Sequence, residues 1–303
     1  MATICITGGT GLIGKALTTY LSAKGHAIII LSRSGKANSN NSVTYKQWYP
    51  AKGTIDKDAI AQSDFIIHLA GAGVADKRWT KERKEEIKKS RIDGSALLVK
   101  ALAEIPNNVK AVISSSAIGW YGPDRGKAFT ETDPAYGDFL GTTSQQWESS
   151  IDPVTALGKR LVKLRTGIVL SNDGGAFVEF KKTLKFGLAS VLGSGKQIVS
   201  WIHIHDLIRL YEYAMENHEL NGVFNAVAPN PVSNKDLTVA IAKKMRGKAF
   251  ITLPVPSFVL QLVLGEMSIE VLKSATVSAT KIQHSGFQFS FPTIEAAVNE
   301  LVA

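Results

Sequence analysis

Short apolar segments alternate with helical patterns through the first half of the chain. TICIT (3–7), AIIILS (27–32), DFIIHLAG (64–71) and VKAVISSS (109–116) carry apolar residues at both odd and even positions. Strands that are apolar on both faces belong to parallel sheets that helices cover on both sides. The alternation therefore predicts an α/β fold with a doubly wound, mostly parallel sheet.

A glycine-rich segment, CITGGTGLIGKAL (5–17), joins the first predicted strand to the first predicted helix. Glycines at such a junction allow a tight turn, a close approach of the backbone to a pyrophosphate, and close packing of the helix on the strand. The N-terminus of the helix then offers free N–H groups to phosphates. The segment predicts a dinucleotide site. Its predicted cofactor-binding residues are Thr7, Gly8, Gly11, Leu12, Ile13 and Gly14.

The end of the second strand indicates which dinucleotide is bound. An NAD site usually carries Asp or Glu there, whereas this chain reads LSRSG (31–35) with no acid. The guanidinium of Arg33 suits a 2′-phosphate, which predicts NADP(H) as the cofactor. An exposed arginine at a strand end is the alternative interpretation.

The second half of the chain is less regular. RLVKLRTGIVL (160–170) is predicted as one strand, and Ser233 with Asp236 forms a capping pattern ahead of a helix. Further helices are predicted near the C-terminus, in 256–275 and 293–302. We expect a nucleotide-binding domain over residues 1–165 and a smaller C-terminal α/β substrate lobe over 166–303, partly interleaved with it.

Composition limits the partners that a chain of this kind can have. The net charge of +9 suits anionic ligands, but aromatic and basic residues are hardly interleaved, so a nucleic-acid partner is disfavoured. The longest apolar stretch, 258–267, is too short to cross a bilayer, so we expect no membrane partner. A lone Cys5 and the lack of a signal-peptide pattern predict a cytoplasmic location. No metal site is predicted, and a homodimer is one assembly that the sequence allows.

With these residues in view, the chain resembles the atypical and extended short-chain dehydrogenase/reductases, and more narrowly the sugar-nucleotide epimerase-like "epimerase family" proteins. The resemblance spans nearly the whole chain and includes a C-terminal segment peculiar to that family. The motifs that carry it are TGGTGLIG, HLAGAGVADKRWT, ISSSAIGWYG, WIHIHDL, FNAVAPNPVSNKDL and GEMSIEVL. It implies a Rossmann-like sheet with the ligand at the carboxyl ends of the strands.

The resemblance also implies roles for particular residues. Leu69, Ala70, Gly71, Ser114 and Ser115 match positions where the backbone lines the cofactor. Ser116 matches the serine that hydrogen-bonds the reacting carbonyl, and Tyr121 borders the substrate cleft. Lys77, Arg78 and Trp79 are candidates to hold a phosphate of the substrate, or alternatively a helix entry anchored by the tryptophan.

The chain departs from the superfamily pattern in GDFLGTTSQQWE (137–148), where a Tyr-x-x-x-Lys pair is expected. Aligning Glu148 with the acid that follows this pair places Leu140 at the tyrosine and Ser144 at the lysine. Neither residue holds a proton with a pKa useful near neutrality. Catalysis would then rely on Ser116 to polarise a carbonyl and on Tyr121 or His203 to donate the proton. Tyr121 also has a structural interpretation, as a packed aromatic residue. His203 has one as a packed strand residue, with Asp206 capping the next helix.

Two functions from different classes follow from these observations. The first is an NADP(H)-binding oxidoreductase or epimerase that acts on a carbonyl or nucleotide-sugar-like small molecule, which could carry phosphate. The alternative is a non-catalytic NADP(H)-binding sensor or scaffold, supported by the missing Tyr-Lys pair. An RNA-associated protein is the least favoured interpretation, because only the net charge supports it.

Overall fold

The structure is a computed structural model that describes residues 1–34 and 42–302. The strands are β1 (Thr3–Thr7), β2 (Ala27–Ser32), β3 (Val43–Tyr49), β4 (Thr54–Ile55), β5 (Phe65–His68), β6 (Ala111–Ala117), β7 (Arg160–Thr166), β8 (Ile168–Leu170), β9 (Leu188–Leu192), β10 (Ile198–Val199), β11 (Trp201–His203), β12 (Gly222–Ala226), β13 (Val232–Ser233) and β14 (Ile251–Val255). The α-helices are α1 (Leu12–Ala23), α2 (Lys57–Ala61), α3 (Lys81–Glu104), α4 (Phe139–Ile151), α5 (Ala176–Leu184), α6 (Ile204–Glu216), α7 (Asn234–Arg246), α8 (Ser257–Leu264), α9 (Ser268–Leu272), α10 (Thr280–His284) and α11 (Ile294–Leu301).

One large sheet organises the molecule. Its eight strands run in the order β12-β7-β6-β5-β1-β2-β3-β4, and every neighbouring pair is parallel except β3 with the short β4. The chain starts at β1 and winds outward in both directions, which confirms the predicted Rossmann-like, doubly wound α/β fold. In such a sheet, the carboxyl ends of β1, β5 and β6 meet at one edge, where ligands bind.

Both faces of the sheet are buried, as the apolar strands predicted. Ile4 and Ile6 of β1 pack into one hydrophobic cluster with α1 and α6, whereas Cys5 faces a second cluster with α3. Burial raises the pKa of the Cys5 thiol to about 12, so this side chain acts as a small apolar core residue. The alternation of side chains along a strand explains why neighbouring residues enter different cores.

The segment 160–170 forms two strands, so its prediction as a single strand was wrong. The break lies at Gly167, whose N–H donates to the carbonyl of Ala226. A Cβ atom at Gly167 would lie 2.5 Å from the carbonyl oxygen of Ser200, so only glycine allows the backbones to approach this closely. Beyond the break, β8 leaves the main sheet and pairs with β11.

The second half of the chain adds both a smaller lobe and part of the main layer. Three two-stranded sheets (β8 with β11, β10 with β13, β9 with β14) belong to it, whereas β12 returns to the edge of the main sheet. Ser233 caps α7 by accepting a hydrogen bond from the Asp236 N–H at 3.0 Å, which confirms the predicted helix start. None of the helices in the described part of the chain is long and apolar enough to cross a membrane.

Candidate functional site

The glycine-rich turn between β1 and α1 brings backbone atoms too close to Gly8 and Gly14 for a side chain at either position. A Cβ atom at Gly14 would lie 2.3 Å from the carbonyl oxygen of Gly8, so α1 packs directly on the turn. Gly8 has a φ of 71°, in the left-handed region that favours glycine. A Cβ at Gly8 would lie 3.0 Å from the backbone of Leu69 and Ala70. The turn that follows β1 and the segment that follows β5 are therefore in backbone contact.

Gly11 differs from these two glycines because open space lies beside it. A Cβ atom there would meet only the Gly8 carbonyl oxygen, at 3.4 Å. Gly11 caps α1 in an extended conformation, without a side-chain hydrogen bond, and the first turn of the helix carries no acid. The first N–H groups of α1 therefore face a turn without a competing side chain, as anion binding requires. Leu12 and Ile13 are the first two residues of this helix. A Cβ atom at Gly174 would lie 3.6 Å from the Leu12 side chain.

Thr7 organises the neighbouring strand end. Its hydroxyl accepts hydrogen bonds from the N–H groups of Leu69 at 3.1 Å and Ala70 at 3.2 Å, and it lies 2.7 Å from His68 Nδ1. Burial lowers the pKa of His68 to about 3, so the imidazole is neutral, and its Nε2 lies 3.1 Å from Ser95 Oγ. Thr7 can thus donate to His68 Nδ1 while His68 donates to Ser95. Thr7 is fully buried and holds residues 69–70 against the glycine turn.

The remaining predicted cofactor-binding residues lie on neighbouring elements. Arg33 is exposed just after β2. Ser114 and Ser115 lie in β6, the first buried and the second half-buried. Their contacts with a cofactor stay predictions.

Ser116 takes part in a buried ion-pair network, which we define as Ser116, Tyr121, Glu148, Arg165 and Asn225. The hydroxyl of Ser116 donates to Glu148 Oε1 at 2.7 Å. The same carboxylate accepts from Arg165 Nε at 2.8 Å and Nη2 at 3.1 Å. Residues Ser116, Glu148 and Arg165 are at most 4% exposed. A carboxylate and a guanidinium paired in this bidentate way form one of the stronger charge-assisted contacts.

Tyr121 closes the other end of the ion-pair network. Its hydroxyl accepts from Arg165 Nη1 at 3.0 Å and donates to Asn225 Oδ1 at 2.7 Å. The side chain is fully buried, and burial raises the pKa of Tyr121 to about 12. Arg165 also lies over the Trp120 ring, with Cζ 3.6 Å from its centroid. The hydroxyl proton of Tyr121 is already donated to Asn225 within the protein, so its transfer to a substrate near neutral pH is unfavourable.

Sequence reasoning used Glu148 only as an alignment marker and missed Arg165. The signal was present in β7, where Lys163 and Arg165 alternate with apolar residues and so lie on the same face of the strand. Two cations on one face of a strand that is otherwise buried indicate an internal acidic partner. Lys163 Nζ lies 3.8 Å from Glu148 Oε2 and also bonds Asp152 at 2.5 Å.

His203 lies at the end of β11 and caps α6. Its Nδ1 accepts from the His205 N–H at 3.1 Å, and its Nε2 lies 2.9 Å from Glu300 Oε2. Burial is the main effect that lowers the pKa of His203. The carboxylate of Asp206, expected as the cap, instead accepts from the N–H groups of Ser290 at 2.8 Å and Phe291 at 2.9 Å. His203 therefore has structural partners that lie outside the ion-pair network.

The segment 137–148 forms the start of α4. The carboxylate of Asp138 accepts from the Gly141 N–H at 2.7 Å and begins the helix. The Leu140 side chain packs on Gly119: a Cβ atom at Gly119 would lie 3.1 Å from the Cβ of Leu140. Ser144 is 4% exposed. Leu140 thus makes an apolar contact and Ser144 is a buried hydroxyl; their alignment with the Tyr-Lys pair of the superfamily stays a prediction.

An open pocket of about 530 Å³ lies between the start of α3 and α4. Its lining includes Lys81, Lys84 and Lys88 together with Glu85 and Glu266. Trp79 contributes to the wall but is buried, donates from Nε1 to the Val74 carbonyl at 2.9 Å, and meets the Phe139 ring edge-on at 5.0 Å. These contacts favour the interpretation of Trp79 as an anchor of the helix entry.

Comparisons with known proteins agree with this geometry. A family model described as the NAD dependent epimerase/dehydratase family matches residues 4–144, and a domain of unknown function (DUF1731) matches residues 255–301. The second match includes GEMSIEVL (265–272) but not FNAVAPNPVSNKDL (224–237), so only the former of these motifs lies in the matched C-terminal segment.

Relatives resemble the chain over almost its whole length. "Epimerase family protein YfhF" of Bacillus subtilis is 35% identical and covers 99% of this chain and 98% of its own. The crystal structure of human epimerase family protein SDR39U1 with NADPH has a TM-score of 0.86 at 30% identity, over 99% of both chains. A nucleoside-diphosphate sugar epimerase from Corynebacterium glutamicum has a TM-score of 0.78 at 32% identity, over 99% of this chain and 58% of that one.

Proposed function

Because this chain belongs to the NAD dependent epimerase/dehydratase family, we propose that it binds NADP(H) and uses it in an oxidoreductase or epimerase reaction. We propose a carbonyl or nucleotide-sugar-like small molecule as the substrate. The observation that carries the proposal is the glycine turn, where Gly8 and Gly14 leave no space for side chains and Gly11 opens onto the start of α1. The human relative SDR39U1 was crystallised with NADPH, which supports the choice of dinucleotide.

The residues present fit this cofactor. The N–H groups at the start of α1 would hold the pyrophosphate, and Arg33 would bind the 2′-phosphate that distinguishes NADP(H) from NAD(H). Thr7 would act indirectly, by holding residues 69–70 against the turn. When bound, the cofactor supplies hydride transfer, and the chain supplies binding and orientation. We place the substrate between the domain of residues 1–165 and the lobe of residues 166–303.

Ser116 is the proposed hydrogen-bond donor to a substrate oxygen. Its hydroxyl has one proton, which it donates to Glu148, so contact with a substrate requires that this bond be exchanged. Glu148 would keep both hydrogen bonds from Arg165, so the exchange leaves no buried charge unpaired. Tyr121 and His203 are proposed as positioning residues, because their polar atoms already bond Asn225, Arg165 and Glu300.

One observation favours a second function, a non-catalytic NADP(H)-binding sensor or scaffold. The three candidate catalytic residues, Ser116, Tyr121 and His203, are all buried and hydrogen-bonded within the protein. A sensor needs the dinucleotide site but no proton from these residues. A cytoplasmic location is part of either proposal, in keeping with the buried, unpaired thiol of Cys5. The assembly state stays a prediction.

Two measurements test these proposals. The first is a titration with NADPH of the protein and of Gly11→Val, with Gly137→Val as the control, since no atom lies within 4 Å of a Cβ at Gly137. We expect Gly11→Val alone to lose binding while both variants stay folded. The second is NADPH oxidation with aldehydes, ketones, quinones and nucleotide-linked ketosugars. Binding without turnover would favour the sensor, and a protein that binds no dinucleotide would overturn both functions.

A further inference from the structure

Arg91 lies in the middle of α3, and its guanidinium packs against Gly71. A Cβ atom at Gly71 would lie 3.1 Å from Arg91 Cζ and 3.2 Å from its Nη1. The two preceding residues, Leu69 and Ala70, are the ones that touch Gly8 of the glycine turn. The segment of residues 69–71 therefore lies between the two groups: Gly71 contacts the Arg91 guanidinium, and the two residues before it contact the glycine turn.

The positive charge of Arg91 has no carboxylate partner within the described part of the chain. Its Nη1 donates to the carbonyls of Ala72 at 3.0 Å and Ile87 at 2.9 Å, and its other two nitrogens form no hydrogen bond with described residues. The undescribed segment 35–41 contains no Asp or Glu. Burial, with a smaller effect of the Arg83 charge, lowers the pKa of Arg91 to about 10, so it remains protonated at neutral pH.

A buried cation is normally balanced by a carboxylate or a bound anion. The Trp147 ring gives partial compensation, with Arg91 Cζ 4.9 Å from its centroid. That contact does not neutralise the charge. Arg91 as a residue is only partly buried, and Nε and Nη2 have no hydrogen-bond partner among the described residues.

Arg160 shows what a purely structural arginine without an acidic partner looks like in this fold. Its Nη1 donates to the carbonyls of Ala214 at 2.7 Å and Leu220 at 2.9 Å, and its Nη2 donates to Met215 at 2.8 Å. Two of these carbonyls belong to the last turn of α6, where the helix dipole favours a cation. Arg160 also begins β7 and so lies at the amino edge of the parallel sheet, away from the glycine turn. Arg91 has neither a helix end nor a full set of carbonyls.

We propose that Arg91 is a further dinucleotide-binding residue, whose positive charge acts on the pyrophosphate of the cofactor. This inference rests on the proposed NADP(H) site. Arg91 would act on the pyrophosphate, which NADPH and NADH both carry. Arg33 would act on the 2′-phosphate, which only NADPH carries. The two arginines should therefore change different properties of binding.

Calorimetric titrations of the full chain with NADPH and with NADH test this assignment. Arg91→Met keeps much of the apolar length, Arg91→Lys keeps the charge, and Arg160→Met is the control for loss of a half-buried arginine. We expect Arg91→Met to weaken both dinucleotides equally, by about tenfold or more, and Arg91→Lys to retain most of the affinity. Arg160→Met should bind like the unmodified protein, even where its melting temperature falls. The loss in Arg91→Met should shrink as salt is added.

The outcomes separate this inference from the function on which it rests. Unchanged affinity in a folded Arg91→Met variant would overturn the role of Arg91 while leaving the cofactor site intact. A loss for NADPH alone would assign Arg91 to the 2′-phosphate and overturn the pyrophosphate assignment. If the methionine variant does not fold, Arg91→Gln provides the same comparison. Failure of the unmodified protein to bind either dinucleotide would instead contradict the proposed function.

Discussion

The glycine turn and the ion-pair network lie at the same edge of the sheet but are specified in different ways. The turn is set by backbone sterics over seven consecutive residues, from Gly8 to Gly14. The network joins side chains that are 17, 32, 44 and 104 positions apart in the sequence. The first can be recognised as a local motif, whereas the second exists only after the fold has formed. The glycine turn can therefore be recognised from the sequence alone, whereas the ion-pair network beside it cannot.

The largest effect should come from breaking the ion-pair network. Glu148→Gln would leave the buried Arg165 guanidinium without its counter-charge, and we expect the free energy of unfolding to fall by about 3–5 kcal/mol. Urea unfolding measures this loss. Glu104→Gln is the control, since its partner Lys100 lies 3.9 Å away and both side chains are 64% exposed. That exposed pair should contribute less than about 0.5 kcal/mol. Equal losses in the two variants would show that the network carries no special stability.

Within the glycine turn, the space beside each glycine determines how much an alanine substitution lowers the stability of the protein. Gly14→Ala places a Cβ 2.3 Å from the Gly8 carbonyl oxygen and should destabilise the protein by more than about 2 kcal/mol. Gly11→Ala meets its nearest atom at 3.4 Å and should leave stability nearly unchanged. Thermal unfolding of the two variants provides the measurement. A stable Gly14→Ala protein would mean that α1 does not pack on the turn as described.

His68 should make the region between the two sites sensitive to acid. Its pKa is lowered from 6.5 to about 3 by burial, so the unfolded chain binds the proton more tightly than the folded one. The stability is thus present above pH 6.5 and is lost as the pH falls towards 3, by about 2 kcal/mol between pH 6.5 and 5. Urea unfolding as a function of pH should show this slope, and His68→Asn should reduce it; His203, whose pKa burial also lowers, keeps a remainder. An unchanged slope in His68→Asn would contradict the assignment.

A smaller change in stability than in Glu148→Gln should follow from Ser116→Ala. This variant removes one hydrogen bond to Glu148 but leaves the bonds from Arg165, at a cost of about 1 kcal/mol. If the protein turns over a substrate, the rate should fall by roughly ten- to a thousandfold, because a donor to the substrate oxygen is lost. Stability and turnover are measured on the same preparation. Full turnover in Ser116→Ala would remove Ser116 from the site.

The main sheet could be predicted from the sequence because strands such as β1, β2 and β5 are apolar on both faces. The capping pattern at Ser233 could be predicted as well, since it depends only on Ser233 and Asp236, which lie three positions apart. The break at Gly167 was not, because the backbone that excludes a side chain there comes from Ser200. The partner of Ser116 was also beyond prediction, since it required knowledge of which face of α4 meets β6.

The central claim is that the glycine turn and Arg33 together form an NADP(H) site. The most direct measurement is the affinity of the unmodified protein and of Arg33→Ala for NADPH and NADH. We expect NADPH to bind more tightly than NADH, and Arg33→Ala to weaken NADPH by about 1.5–3 kcal/mol while leaving NADH unchanged, because a charge-assisted contact to the 2′-phosphate is lost. Equal affinities of the unmodified protein for the two dinucleotides would contradict the account.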